Sequence, residues 1–137
     1  MSQENVELVR AFYAAYNRGD LDAVMNDLHP DFTLDWSRGM GPQRGVYGTD
    51  RVRQFFDDFA EIFEQRVVPD EFINVGEHVV VPQTGYVRGR DGIEVTARIT
   101  LLWTIHNGSV MRICLYQDTR EALEAVGLSE QDAHADS

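Results

Sequence analysis

Val6, Val9, Tyr13 and Tyr16 fall on one helical stripe, widened by Leu8 and Phe12, so the spacing predicts an amphipathic helix at the start of the chain. Gly19 ends it, and Asp20 is placed to cap a second, short helix that turns Leu21, Val24, Met25 and Leu28 inward. After His29-Pro30 the period drops to two. Phe32, Leu34 and Trp36 alternate with Thr33 and Asp35, which predicts a strand with its aromatic face toward the helices. Residues 37–45 are rich in turn formers and read as a long loop, either the mouth of a pocket or a plain connection. Gly48-Thr49-Asp50 then supplies the cap of a third helix, with Val52, Phe55, Phe56, Phe59, Ile62 and Phe63 on one face.

Residues 67–117 read as extended, with breaks at Gly76-Glu77, at Gly89-Arg90-Asp91-Gly92 and at Asn107-Gly108, the last a type I′ hairpin turn. Four strands result, each antiparallel to the next. Pro82 cannot donate to a ladder, which predicts a bulge or an edge stretch. Asp118 and Glu121 occupy the N-cap and N3 positions of a capping box, opening a short helix through Ala122, Leu123 and Val126 that stops at Gly127. The pattern is that of one α+β domain over residues 1–128, with 129–137 as a loose tail.

Composition removes several function classes. The net charge of −11 opposes both nucleic-acid phosphate and anionic lipid, so neither partner is expected. No apolar run approaches the length of a membrane span and no export signal opens the sequence, which predicts a cytoplasmic protein. Cys114 is the single cysteine and sits in an apolar strand, as a buried, unreactive thiol would. His29, His78, His106 and His134 lack metal-ligand spacing, and no metal site is expected. Arg18-Gly19-Asp20 and Asn107-Gly108-Ser109 match an integrin tripeptide and a glycosylation sequon, but a helix stop and a hairpin turn account for both.

The helix corner 17–22, the strand 31–36, Tyr47-Gly48-Thr49-Asp50, the segment 103–108 and the segment 118–123 together resemble the SnoaL-like group of the NTF2-like superfamily over roughly residues 4–128. The resemblance implies a cone: three N-terminal helices packed on a curved, mostly antiparallel sheet, closed over a pocket, with a short C-terminal helix. It also implies polyketide cyclases, ketosteroid isomerases, epoxide hydrolases and non-catalytic binding modules as relatives, so fold alone does not select a reaction.

The family's catalytic patterns are not met. The base and the two hydrogen-bond donors of ketosteroid isomerases fall on Trp36, Phe12 and Leu101, none of which does that chemistry. Asp35 is one residue from the base position, and a one-residue shift turns a strand side chain to the other face. The Asp-Arg-Asp set of limonene-type epoxide hydrolases meets Arg98-Ile99-Thr100 and finds only the arginine. On the last strand Met111, Ile113, Leu115 and Gln117 are in phase with the pocket and include no acid. Asp35 and Asp118 are therefore the candidate catalytic carboxylates, with a solvated and a capping role as their respective alternatives.

The candidate ligand contacts are Tyr13, Tyr16, Trp36, Phe59, Gln83, Leu101, Trp103 and Gln117, in a cone also lined by Ile99, Ile105, Phe55 and Phe56. The set suits a small hydrophobic molecule held by a few oriented hydrogen bonds; the alternative is that these residues fill the core. The opposite sheet face carries Arg98, Thr100, Leu102, Thr104, Arg112, Cys114 and Tyr116, an amphipathic surface expected to join two copies as a homodimer. Two functions follow: a cofactor-independent cyclase, isomerase or hydrolase, or a binding module that uses the same pocket without turnover.

Overall fold

A computed structural model describes residues 2–39 and 41–128; the expected tail 129–137, with His134, lies outside the described residues. Helices α1 (Ser2–Asn17) and α2 (Leu21–Asn26) meet at the corner where Gly19 takes φ +77° and the Asp20 carboxylate accepts the Ala23 N–H at 3.1 Å. Strand β1 (Leu28–Asp35) follows at once, so Leu28, expected on the second helix, opens the strand instead. Strand β2 (Val46–Gly48) was not legible as a strand; it pairs with β1 and leads into α3 (Thr49–Ile62). No side chain caps α3. Thr49 Oγ1 donates instead to the Pro30 carbonyl at 3.0 Å, tying the helix start to β1.

The long strands begin at Phe63, four residues before Val67, where they were expected. Phe63 leaves α3 with extended geometry and begins β3 (Phe63–Pro69), while Ile62, expected inward, is exposed. The first of the four expected strands is in fact two, β3 and β4 (Ile73–Val75), both antiparallel to β5 (His78–Gly89) and not to each other. Pro82 explains the split. Its register with β6 (Glu94–His106) runs on without a bulge, while its carbonyl accepts the Asp70 N–H at 2.8 Å on the side where β3 gives way to β4. The missing N–H thus faces the gap between two partners, where no ladder bond is due.

Strand β7 (Ser109–Tyr116) follows the Asn107-Gly108 turn, both residues at positive φ, and lies between β6 and β1, parallel to β1. The sheet order is β2-β1-β7-β6-β5-β3, with β4 beside β5. The β6–β7 register slips by one residue between Thr104 and Ile105. This bulge falls at Met111 and reverses the phase beyond it, so Val110 enters the core where Met111 was expected. Helix α4 (Thr119–Ala125) begins at Asp118, whose carboxylate accepts the Glu121 N–H at 2.8 Å, and ends in a Schellman-type turn at Gly127, with Leu128 N–H on the Leu123 carbonyl at 2.9 Å.

The concave face carries the main core, in which Val9, Tyr13, Phe32, Leu34, Leu101, Trp103 and Ile113 pack with α1 and α3. The convex face has a smaller core, Ile73, Val80, Leu102 and Cys114 beneath Ala122 and Leu123 of α4. Much of the centre of the face expected to meet a second copy is therefore already covered by the chain's own last helix. No helix among the described residues is long and apolar enough to cross a membrane.

Candidate functional site

A cavity of about 340 Å³ lies between the concave sheet face and the α1–α3 lid. Its wall follows from strand alternation: Gln83, Gly85 and Val87 on β5, Ala97, Ile99 and Leu101 on β6, and Ile113 and Leu115 on β7. The helices add Phe12, Tyr13 and Tyr16 from α1 and Phe55, Phe56 and Phe59 from α3. Of the expected ligand contacts, Tyr13, Tyr16, Trp36, Phe59, Gln83, Leu101 and Gln117 line this space.

Trp103 does not. It is wholly buried, packed edge-on against Phe12 at 4.7 Å between ring centres, and it belongs to the core below the cavity floor. Its indole N–H reaches no acceptor.

Two polar pairs interrupt the apolar wall. Tyr13 donates its hydroxyl proton to Gln83 Oε1 at 2.5 Å, and the Gln65 amide donates to the Tyr16 hydroxyl. Gln65, in phase with Val67 on β3, was missed because the strand was expected to start at Val67; the alternation of Phe63, Gln65 and Val67 with Glu64 and Arg66 carried the signal. Burial pushes the Tyr13 pKa far above its ordinary value, slightly offset by the nearby Trp103 indole. Burial also raises Tyr16, to about 12, against the opposing Gln65 bond. Both hydroxyls stay protonated at neutral pH. Since the Tyr16 oxygen accepts from Gln65 and Gln83 uses its oxygen on Tyr13, the Tyr16 proton and the Gln83 amide protons remain for a guest.

The loop after β1 borders the cavity at Trp36 and Gly39. Trp36 N–H donates to the Gly45 carbonyl at 2.8 Å, Gly39 N–H returns to the Trp36 carbonyl at 3.0 Å, and the Trp36 ring rests on Phe55 at 5.4 Å. Gly39 is required there, because a Cβ would stand 2.8 Å from the indole ring. Gln117 Nε2 donates to the Arg38 carbonyl at 2.6 Å and pins the loop to the end of β7.

Neither candidate carboxylate reaches the cavity. Asp118 caps α4, and Asp35 points to the convex face, where Arg112 approaches it at 2.9 Å and Arg38 at 3.8 Å. Ser37 adds a hydroxyl bond at 2.5 Å and a backbone N–H bond at 3.0 Å. Burial disfavours the charged form of Asp35, but the two Ser37 bonds, then Arg112 and Arg38, outweigh it and hold the carboxyl below the usual range. Burial and then Asp35 raise the Cys114 pKa, which keeps that thiol unreactive at neutral pH.

Because the folded-state pKa of Asp35 is depressed, its stabilisation is present above the unfolded carboxylate pKa of about 4 and is lost as pH falls through the folded value. Wild type is expected to lose melting temperature on acidification more steeply than Asp35→Asn. Parallel thermal scans from neutral to strongly acid pH check this, and equal slopes refute it. Both arginine side chains are about half exposed, so added salt should shrink the difference.

A family model described as a SnoaL-like domain matches residues 9–113. Among solved structures, an NTF2-like protein of unknown function from Burkholderia pseudomallei is 32% identical, with a TM-score of 0.77 over 91% of this chain and 98% of the other. TerC, co-crystallised with polyporic acid, is 27% identical, with a TM-score of 0.76 over 91% and 99%. The Δ5-3-ketosteroid isomerase of a Mycobacterium species shares the fold at 14% identity, with a TM-score of 0.73 over 84% and 93%. No curated protein sequence matches the chain.

Proposed function

Because the chain belongs to the SnoaL-like domain family, we propose that it is a cytoplasmic protein whose cavity binds a small aromatic molecule bearing an acceptor oxygen. The observation that carries this reading is the pairing of an aromatic wall with two unspent donors, Tyr16 O–H and the Gln83 amide, in a lining whose one ionic side chain is the exposed Arg98. Such a site rewards burial of flat apolar surface and fixes one carbonyl or phenol oxygen. An ammonium guest would find no counter-charge there, and the one cationic lining side chain, Arg98, is exposed.

Polyporic acid, the compound in the TerC crystals, and 2-naphthol are suitable probes. Trp36 lines the cavity and reports occupancy through its fluorescence, which calorimetry can cross-check. Gln83→Leu, which removes one donor, should weaken 2-naphthol binding by about tenfold. The binding reading fails if neither probe changes the Trp36 signal or releases heat.

A catalytic reading has one supporting observation: two neutral donors lining one cavity, one from the lid and one from the sheet, are the half of an isomerase or cyclase site that stabilises an enolate. The proton acceptor would then come from substrate or water, since Asp35 and Asp118 lie elsewhere. Deuterium uptake at the α-carbon of a cyclic aryl ketone, followed by NMR with and without protein, separates turnover from binding.

A further inference from the structure

The second edge of β6 is open over half its length. β5 pairs with β6 from Glu94 to Thr104, whereas β7 pairs with it only from Thr100 to His106. Among the described residues no strand meets 94–99 on that side, and Ile93 and Val95 beside it are 62% and 56% exposed. The backbone parity is set by Ile105, whose N–H points to the Glu77 carbonyl on the β5 side. Odd-numbered residues of β6 therefore bond to β5, and the N–H and C=O groups of Glu94, Thr96 and Arg98 face the vacant edge. An exposed edge of this kind is a template for another strand.

The same segment is complementary to itself. Laid antiparallel on a second copy about a two-fold axis at Thr96, Glu94 faces Arg98 and Arg98 faces Glu94, while the outward backbone groups of all three even positions meet in register. On the other face Val95 meets Ala97 and Ile93 meets Ile99. The charge pairing also extends a row already in the sheet, where Glu64 bonds Arg88 and Arg88 stands opposite Glu94; Arg98 of a second copy is the next alternating charge. We propose that two copies join edge to edge through residues 93–99, the start of β6 and the residue before it, and complete each other's cavity rim, since Ala97 and Ile99 line the cavity and receive Val95 and Ile93 of the second copy.

Charge variants test this directly. Arg98→Glu alone and Glu94→Arg alone each place like charges at both crossings, and each should raise the dimer dissociation constant by roughly tenfold. Mixing the two variants restores opposite charges at both crossings and should regenerate dimer in sedimentation equilibrium. In a Cys114→Ser background, Thr96→Cys should form an intermolecular disulfide under mild oxidation, because position 96 faces itself across the axis. Circular dichroism of each variant checks that it is folded. A wild type that sediments as monomer at tens of micromolar overturns the proposal. So does a dimer that neither cross-links through position 96 nor responds to the mixed charge variants, since its interface then lies elsewhere.

Discussion

Trp103→Ala is expected to lower the unfolding free energy by about 3–5 kcal/mol, the range for removing a buried aromatic side chain from a core that collapses only partly. The ring has no solvent exposure and no share in the cavity wall. It meets Phe12 edge-on and Tyr13 at 5.8 Å, so its loss opens a void beneath the α1 lid and loosens the two aromatic residues that carry the cavity's roof. The unpartnered indole N–H tempers the loss slightly, since the variant removes a buried donor that makes no bond. Urea denaturation with an unchanged slope would measure the effect. A loss below about 1 kcal/mol would place the ring in an open space after all.

The second large effect concerns ligand binding and leaves stability intact. Gly85 faces the cavity from β5, and a Cβ there would meet only ordinary contacts, the Ala97 carbonyl at 3.7 Å and Val87 Cγ2 at 3.9 Å. A phenyl group at this position would extend into the 340 Å³ space between Gln83 and Val87. Gly85→Phe should therefore weaken 2-naphthol binding by about 100-fold or more, equivalent to about 2.7 kcal/mol. Stability should hold or rise by about 0.5–1 kcal/mol, because glycine inside a strand is entropically costly. Full binding by a folded Gly85→Phe variant would move the ligand site out of the cone.

The helices, the hairpin turns and most of the cavity wall were legible in the sequence because each rests on a local rule. Tyr13, Tyr16 and Phe59 follow from helical period, Gln83 and Leu101 from strand period, and Asp118 from a capping pattern. What escaped depends on long-range pairing. Met111 is turned out by a bulge that exists only in the β6–β7 register. Trp103 shares the phase of Leu101 and Ile99 but sits farther along β6, beneath α1, where the wall has become floor. Strand alternation reports which face a residue takes and is silent on how far along the strand the cavity extends. The split between β3 and β4 and the cover that α4 lays over Leu102 and Cys114 are likewise tertiary facts. The placement of Asp35 away from the cavity was legible, since it needed only the two-residue period of β1.

The parallel contact between β1 and β7 has a consequence for how the chain is born. Leu34 beside Ile113 and Asp35 beside Cys114 join the front of the sheet to one of its last strands. Emerging from the ribosome in order, α1 can dock on β3 and β5 and β1 can pair with β2, but β1 and β2 join the rest of the sheet only once β7 has been made. The side of β1 that Ile113 and Cys114 cover stays open through most of synthesis, and the last strand to be made is the one that ties the front of the chain into the sheet.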